Sequence, residues 1–276
     1  MIKIMIDSSA DCRNPELYDI FVPISVNIDG KDYLDGVDLG SDAFYNLLAS
    51  AKEFPHTSQP SPDYFLKNFE KAKADGDEII YFALSSALSG TYQSACIAKD
   101  MVEYDGVYVV DTQNATHMIE ILLRYANKLI ADGFSAKEIF EKCEEVKTRI
   151  RVYAGVDTLE YLVKGGRVRR TAGFVGTFAN IKPIITVTVD GRVEAIGKAL
   201  GFAKAVQTVV DKVKKFEVDE EFPVRTLYTY GEENCDKLED KLKENGYEIE
   251  GRDQIGPTIG THLGNGVYGV YFVEKK

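Results

Sequence analysis

Hydroxyl side chains collect at three places where an apolar run gives way to a turn. These places are Asp7-Ser8-Ser9, the run Ser85–Thr91 and Asp111-Thr112. Ligands of parallel α/β sheets bind beyond the carboxyl ends of the strands, so these segments are candidates for one shared site. The run 85–91 (SSALSGT) leads into a helix, which puts free backbone N–H groups beside hydroxyls and favours a phosphate or a carboxylate. Helix capping by Ser89 or Thr91 is the alternative explanation.

A second group of hydroxyls lies in the segment 57–62 (TSQPSP). Within it, Ser61 followed by Pro62 has the pattern of a helix start, with serine as the cap and proline in the first helical position. Thr57 and Ser58 precede this cap and are free to contact a ligand. The alternative is that the whole segment is a loop that ends in a helix cap.

His262 lies in the glycine-rich segment 259–266 (IGTHLGNG), which we expect to form a bend before the last strand. Clustered glycines let another group approach the backbone closely. A pair of Ser89 and His262 would suggest acyl transfer, but Ser89 is not in a G-x-S-x-G turn and no acid is clearly placed to orient the histidine. The P-loop and G-x-G-x-x-G patterns are also missing from the sequence. An acyl hydrolase or transferase that uses Ser89 and His262 remains an alternative to a binding protein.

The first half of the chain alternates short apolar runs with helical patterns. The apolar runs predict strands at Ile2–Ile6, Glu78–Leu84 and Val107–Val110. Helical patterns cover 61–76, which ends at Gly76, and Met118–Ile130, and a further helix begins at the capping box 135–138. This alternation predicts an α/β domain with a mainly parallel sheet that is flanked by helices.

The second half has a different pattern. The runs Pro183–Val189 and Arg192–Ile196 predict a hairpin, since Asp190-Gly191 between them accepts the positive φ of a type I′ turn. Valines at 206, 209, 210 and 213 mark the buried stripe of a helix. Hairpins mixed with helices predict an α+β domain with a mixed or antiparallel sheet. We therefore expect two domains, at residues 1–157 and 158–276.

Composition narrows the class of protein. The 276 residues are 45% apolar and 28% charged, which is typical of a globular protein. No apolar run approaches the ~18 residues of a membrane span, and the apolar run at the N-terminus is too short for a signal peptide. The four cysteines are far apart, which argues against a zinc site or a disulfide framework. These features predict a cytoplasmic protein that holds no metal.

The formal net charge of -11 argues against nucleic acid as the main partner. One basic turn stands out against this acidic background, at residues 165–170 (GGRVRR). A solvated turn is one explanation for it. The other is a surface on which Arg167, Arg169 and Arg170 dock a protein partner.

Six segments in order resemble the DegV family of fatty acid-binding proteins, which includes the FakB subunits of bacterial fatty acid kinase. They are DSSAD (7–11), TSQPSP (57–62), LSSALSGTYQSA (84–95), TLEYLVKGGRV (158–168), NIKPI (180–184) and the Gly-x-His element at 260–262. Each segment alone is modest support, but six in the same order are specific. The resemblance runs through nearly the whole chain.

The resemblance implies a two-domain fold that holds one long-chain fatty acid, such as palmitate, between its domains. It places the carboxylate of that ligand on Thr57, Ser89 and His262. Secondary contacts implied by the same motifs are Ser58, Gly90 and Thr91. No cofactor and no catalytic residue follow from the resemblance, so the chain is expected to bind lipid rather than to catalyse.

FakB proteins present the bound acyl chain to a separate kinase subunit, which uses ATP to make the acyl phosphate. The resemblance therefore implies a fatty acid kinase subunit as partner, and it makes Arg167, Arg169 and Arg170 a plausible kinase-facing surface. We further expect a monomer, whose contact with a membrane, if there is one, is peripheral or transient.

The chain departs from the family pattern at two places. Residues 262–266 (HLGNG) stand where the family has His-Thr-Gly-Pro-Gly, and residues 111–118 (DTQNATHM) replace a start of helix rich in serine and glycine. Bulkier residues beside the ligand would change the shape of the tunnel, so a family member that has lost lipid binding is a third interpretation. We expect His117 to lie on the surface rather than in the pocket.

Overall fold

The computed structural model describes residues 1–168 and 180–276. Within these ranges the chain forms three sheets, nine α-helices and short 3-10 turns at Ser8–Ala10 and Pro15–Leu17. The strands are β1 (Ile2–Asp7), β2 (Ile20–Val22), β3 (Ser25–Ile28), β4 (Lys31–Leu34), β5 (His56–Ser58), β6 (Glu78–Ala83), β7 (Val107–Asp111), β8 (Ile150–Gly155), β9 (Ile181–Val187), β10 (Val193–Leu200), β11 (Arg225–Tyr228), β12 (Gly251–Gln254) and β13 (Tyr268–Val273). The helices are α1 (Ser41–Ser50), α2 (Pro62–Asp75), α3 (Thr91–Val102), α4 (Met118–Ala131), α5 (Ala136–Lys147), α6 (Glu160–Lys164), α7 (Phe202–Val213), α8 (Glu233–Glu244) and α9 (Pro257–Leu263).

The first sheet is parallel throughout and has the strand order β2-β1-β6-β7. Successive side chains of a strand point to opposite faces, and helices cover both faces here. Ile6 and Phe82 pack in one cluster with α4 and α5, whereas Met5 and Tyr81 pack with α2 and α3. The expected parallel sheet flanked by helices is confirmed, and the hydroxyl-rich segments follow the carboxyl ends of its strands.

The second sheet has the order β10-β9-β8-β13-β11-β12 and is mixed, as expected, because β11 and β12 pair in parallel and the other pairs are antiparallel. Tyr153 and Phe272 pack with α7 and α8 on one face, while Val152 and Ala154 face the cluster around α4. Since β8 belongs to this sheet, sheet membership changes before Ile150. The division into domains at 157/158 stays a prediction.

The predicted hairpin of β9 and β10 is present, but the expectation of a type I′ turn was wrong. That turn needs positive φ at both central residues, and of Asp190 and Gly191 only the glycine has it, at 78°. The turn spans more than two residues. The Thr188 carbonyl accepts from the Gly191 N–H, and the Thr188 hydroxyl oxygen accepts from the Arg192 N–H. The Ser85 hydroxyl, from the N-terminal half, donates to the Gly191 carbonyl over 2.8 Å.

The helix boundaries predicted from capping residues are confirmed. Helix α2 follows Ser61 with Pro62 in its first turn, and it ends at Gly76, whose φ of 69° lies in the left-handed region. Helix α5 begins with the predicted capping box, in which Ser135 and Glu138 each accept from the other's backbone N–H. Such signals are local, which is why the sequence alone contains them.

A small antiparallel sheet, β4-β3-β5, was not predicted from the sequence, and it contacts helix α9. His262 was expected in a bend, and this was wrong because it lies in the last turn of α9. Pro257 opens this helix, as proline often does. Gly260 lies inside it because a Cβ there would come within 2.6 Å of the Tyr45 hydroxyl, so close packing decides the residue.

Candidate functional site

A cavity lies between the N-terminal and C-terminal halves and is lined by residues from both. It encloses about 1000 Å³ of atom-free space, part of which is open to solvent. Most of its lining is aliphatic and includes Leu84, Met118, Val152, Ile185, Leu227 and Ile259. The polar side chains of the lining are Thr57, Gln59, Ser89, Thr116, Arg167, Thr186, Thr258 and His262. The site is therefore an apolar chamber with a small set of polar groups, as in most small-molecule sites.

Thr57 and His262 meet across the two halves of the molecule. The Thr57 hydroxyl, on β5, and Nε2 of His262, on α9, lie 3.0 Å apart, although 205 positions separate the residues in sequence. Both line the cavity. Their contact depends on how α9 sits against the small sheet, since neither element carries both residues.

Ser89 lies in the turn between β6 and α3, and it also lines the cavity. Its hydroxyl lies 2.8 Å from that of Thr91, and its oxygen accepts from the Thr91 N–H over 3.3 Å. Gly90 precedes α3 as its cap residue, and a Cβ at that position would overlap the Gln59 side chain. Ser89 thus precedes the cap residue, accepts from the first N–H of α3 and also lines the cavity, so a local role at the helix start and a role in the site are compatible.

The imidazole of His262 is held neutral at ordinary pH. Burial, together with the nearby Arg167 cation, lowers its pKa from 6.5 to about 4. Its Nδ1 atom is buried and has no hydrogen-bond partner among the described residues. Gly165 borders this atom, since a Cβ there would lie 2.4 Å from Nδ1. The ring can therefore exchange hydrogen bonds with a ligand through Nε2 but carries no charge of its own.

Arg167 supplies the positive charge of the site. Its Nε donates to the Leu88 carbonyl over 3.0 Å, beside Ser89, and the side chain lines the cavity. Burial lowers the pKa of the guanidinium, yet arginine remains protonated in proteins. Its predicted role in partner docking stays a prediction. Arg169 and Arg170 lie outside the described residues.

The predicted head-group residues Thr57, Ser89 and His262 all line the same cavity. Of the predicted secondary contacts, Ser58 is exposed on β5, whereas Gly90 and Thr91 lie behind Ser89 at the start of α3. Their roles as ligand contacts remain predictions.

The first hydroxyl-rich segment, 7–9, supports the wall of the cavity. The Asp7 carboxylate is fully buried and accepts from the Tyr81 hydroxyl (2.7 Å) and from the backbone N–H of Leu84 (3.1 Å), a lining residue. Burial raises the pKa of this carboxyl, although its hydrogen bonds oppose the effect. The Ser8 hydroxyl also accepts from the backbone N–H of Ile24 over 3.0 Å and lies 3.2 Å from the Thr258 hydroxyl, so segment 7–9 supports three lining residues.

Several lining residues were missed by sequence reasoning. Gln59 had a signal because it lies within the TSQPSP motif, and Thr116 because it lies in segment 111–118, but Thr258 had none. The aliphatic lining is also invisible in sequence, because an apolar residue that faces a cavity has the same pattern as one that faces the core.

The expectation of a surface position for His117 was wrong, because only 5% of the residue is exposed. Its Nε2 lies 3.0 Å from the Gln254 carbonyl, and its Nδ1 lies 3.6 Å from a Glu120 carboxylate oxygen. It lines a separate polar cleft rather than the apolar cavity. The segments that depart from the family pattern do reach the cavity, through Thr116 and Leu263.

Fold and site together define a class of protein: a parallel α/β half and a mixed-sheet half enclose a largely apolar cavity, and both halves contribute polar groups to its lining. The sequence model described as "Uncharacterised protein, DegV family" matches residues 1–275. The chain belongs to the DegV family. Among the described residues, none of the helices combines the length and apolar character that a bilayer crossing needs.

Relatives and solved structures extend over the whole chain. A DegV domain-containing protein of Caldanaerobacter subterraneus subsp. tengcongensis is 39% identical over 280 residues, covering 99% of each chain. A Thermus thermophilus DegV family protein, described as fatty acid binding, is 30% identical with a TM-score of 0.88 and 99% coverage of each chain. A stearic acid-binding protein from Eubacterium ventriosum is 26% identical with a TM-score of 0.86, covering 100% of this chain and 99% of that one.

Proposed function

We propose that this protein is a non-enzymatic carrier that binds one long-chain fatty acid between its two halves. Thr57, Ser89 and His262 hold the carboxylate, and the aliphatic chamber holds the acyl chain. The observation that carries the proposal is the meeting of Thr57 and His262, 3.0 Å apart, in the wall of a cavity that also contains Ser89. The solved structures named as fatty acid-binding proteins, to which the chain is similar, support the same ligand class.

The apolar lining suits an acyl chain. Burying about fifteen methylenes at ~0.8 kcal/mol each offers roughly 12 kcal/mol before the cost of ordering the ligand. Part of this is spent on the lost freedom of the chain and of the bound molecule. A C14–C18 acid therefore has far more buried surface to offset these costs than a short acid has.

The polar groups suit a carboxylate. An unpaired charge in a dry site costs far more than the acyl chain contributes, so the head group needs partners. The Thr57 and Ser89 hydroxyls can donate to it, and the single proton on Nε2 of neutral His262 can go either to the carboxylate or to the Thr57 oxygen, which leaves the Thr57 proton for the carboxylate. Arg167 places a guanidinium in the same lining and offsets the negative charge.

The geometry argues against the alternative of an acyl hydrolase or transferase. A serine nucleophile needs a hydrogen-bonded base, which in turn needs an orienting acid. His262 pairs with Thr57 rather than with Ser89, and its Nδ1 has no acid partner within the described part of the chain. With a pKa of about 4, this imidazole is also a poor general base.

We further propose that the loaded protein is cytoplasmic and presents the carboxyl end of its ligand to a fatty acid kinase subunit. This part of the proposal rests on the resemblance to FakB proteins. The cavity opens to solvent and Arg167 lies in its lining, so a partner that approaches the polar groups would meet a positive charge suited to a phosphorylated head group.

The first experiment identifies the ligand and then tests the head-group residues. Native mass spectrometry of the purified protein, followed by organic extraction, is expected to show one C14–C18 fatty acid per chain. After delipidation, palmitate affinity is measured for the wild type and for Ser89→Ala and Ser86→Ala. Ser86 is the matched control because it lies in the same turn, is exposed and bonds Asp111 rather than lining the cavity.

Ser89→Ala is expected to weaken palmitate binding about tenfold, the usual consequence of losing a hydrogen bond to a charged group, while Ser86→Ala leaves it unchanged. An empty protein that takes up neither palmitate nor oleate would refute the proposal and favour a member that has lost lipid binding. Hydrolysis of acyl esters that Ser89→Ala abolishes would favour the enzyme instead. Acyl phosphate formation from ATP with a kinase subunit, dependent on this protein, tests the partner.

A further inference from the structure

Two buried carboxylates lie behind the wall of the cavity. Asp35, which follows β4, is 0% exposed, and Asp11 is 2% exposed. One oxygen of Asp35 accepts from the Thr258 hydroxyl over 2.6 Å and from the Thr258 backbone N–H over 3.1 Å. Thr258 belongs to α9 and lines the cavity. Asp35 therefore does not line the cavity itself but is hydrogen-bonded to a residue that does.

The start of helix α9 needs such a partner. A helix normally receives a side-chain oxygen from its cap residue, which accepts from the second or third N–H. The cap residue here is Gly256, which has no side chain, and Pro257 has no N–H. Thr258, at the second helical position, supplies the first N–H of the helix, and Asp35 accepts from it across the boundary between the two halves. Asp35 thus caps the helix in place of its own cap residue, although it is distant from α9 in sequence.

Helix α9 is also short, with seven residues, and so depends on tertiary contacts for its stability. Its other anchors are Gly260, which packs against Tyr45, and the Tyr45 hydroxyl, which donates to the Ile255 carbonyl over 2.9 Å just before the helix. Thr258 and His262 are four residues apart and lie on one side of the helix. The hydrogen bonds that fix Thr258 therefore also fix the position of His262 relative to Thr57.

We propose that Asp35 is a positioning residue for the fatty acid site, which pins the first turn of α9 through Thr258 so that His262 meets Thr57. This inference rests on the proposed function for its effect on affinity. Its effect on the position of His262 is independent of any ligand. The dependence of the site on a carboxylate of the opposite half means that the two halves must dock correctly before the head group is held.

The groups around Asp35 make its charge state part of this arrangement. The free oxygens of Asp35 and Asp11 have no hydrogen-bond partner among the described residues, and Arg13 lies 3.6 Å from that of Asp35. Burial, and next the charge of Asp11, raise the pKa of Asp35 to about 7. Tyr45 is uncharged, because burial raises the pKa of its hydroxyl further. Experiments that require Asp35 to be ionised are therefore done at pH 8, above its pKa of about 7.

The test compares Thr258→Val with Thr258→Ser, which keeps the hydroxyl. Thr226→Val is the matched control, since Thr226 is equally buried and its hydroxyl donates to Glu239 over the same 2.6 Å, but it does not line the cavity. One readout is palmitate affinity at pH 8. The other is the NMR titration of the His262 imidazole in ligand-free protein, which is simple to assign because the chain has three histidines.

Thr258→Val is expected to weaken palmitate binding about tenfold and to move the titration of His262 upward from about 4, because a loosened helix exposes the ring to water. Thr258→Ser is expected to restore both, and Thr226→Val to change neither. Unchanged affinity and titration in Thr258→Val would overturn the proposal, as would equal effects of Thr226→Val.

Asp35→Asn supplies a second, independent variant. Removing the charge relieves the repulsion with Asp11, so this variant is expected to unfold at the same or a higher urea concentration. It is nevertheless expected to bind palmitate more weakly at pH 8, because a neutral acceptor holds Thr258 less firmly. A stable variant with full affinity and an unchanged His262 titration would refute the positioning role. Failure of the wild type to bind palmitate would refute the proposed function, and the His262 titration would still decide the role of Asp35.

Discussion

Replacing His262 by glutamine should remove a large part of the protein's sensitivity to acid. Burial and the Arg167 cation lower the pKa of His262 from 6.5 to about 4 in the folded protein. In the unfolded chain the imidazole takes a proton near pH 6.5. The unfolded state therefore binds more protons between these two values, and acid favours unfolding there.

The size of this effect follows from the two pKa values. A difference between 6.5 and about 4 corresponds to about 3 kcal/mol at 1.36 kcal/mol per pH unit. The histidine makes no such contribution above pH 6.5, where both states are neutral. The loss grows as the pH falls from 6.5 to 4 and is constant below that. Glutamine also loses or weakens the contact with Thr57, but that change is nearly independent of pH.

His117 provides a control of opposite sign in the same chain. Burial lowers the pKa of His117, but the Glu120 carboxylate 3.6 Å away and the charges of Asp11 and Asp253 outweigh it, so the net pKa is raised. Its contribution to stability is fully present below pH 6.5 and is lost as the pH rises through the folded pKa. His117→Gln should therefore cost more stability at low pH than at high pH.

The assay is urea unfolding of the wild type, His262→Gln and His117→Gln at intervals from pH 8 to pH 4.5. The free energy of unfolding of His262→Gln minus that of the wild type is expected to rise by about 2 to 3 kcal/mol as the pH falls over this range. For His117→Gln the same difference is expected to fall. Parallel curves for His262→Gln and the wild type would refute the claim that His262 is buried and neutral.

Two glycine substitutions test close approaches that the site needs. Gly165→Ala should weaken palmitate binding more than tenfold, because its Cβ would lie 2.4 Å from Nδ1 of His262; Gly197→Ala, with its nearest contact at 4.0 Å, is the control and should bind normally. Gly191→Ala should lower the free energy of unfolding by about 2 kcal/mol or more in urea, because its φ is 78° and its Cβ would overlap the Ser85 hydroxyl. An unchanged midpoint would show that the hairpin turn does not need to dock on the N-terminal half.

Local sequence patterns predicted most of the fold. Ser61, Ser135 and Gly76 marked helix ends correctly, because the preferences for serine before a helix and for glycine after one act over a few residues. The Ser135 side chain caps its helix, whereas the Ser61 side chain makes no capping hydrogen bond. The alternation of apolar runs with helices indicated the parallel sheet, and the hairpin indicated the mixed one. These signals depend only on neighbouring residues, so they survive in the sequence.

Other elements were decided by packing between distant parts of the chain. The bend expected around His262 is a helix, because Gly260 fits against Tyr45 and Asp35 caps the first turn, and these contacts outweigh the low helix propensity of glycine. His117 was expected on the surface and is buried, because Gln254 offers its carbonyl from β12. Tyr45 and Asp35 are distant in sequence from α9, and Gln254 is distant from His117.

By itself, the sequence determined which residue types were available for a head-group site and the order in which the strands present them. Hydroxyls at strand ends and a histidine among glycines were visible as candidates, and the ordered motifs indicated the family. Only the tertiary structure decided that Thr57 and His262, 205 positions apart, lie 3.0 Å from each other, and which aliphatic residues face a cavity instead of a core. The reason is physical: capping and turn preferences act over a few residues, whereas the position of α9 results from contacts made by both halves after they dock.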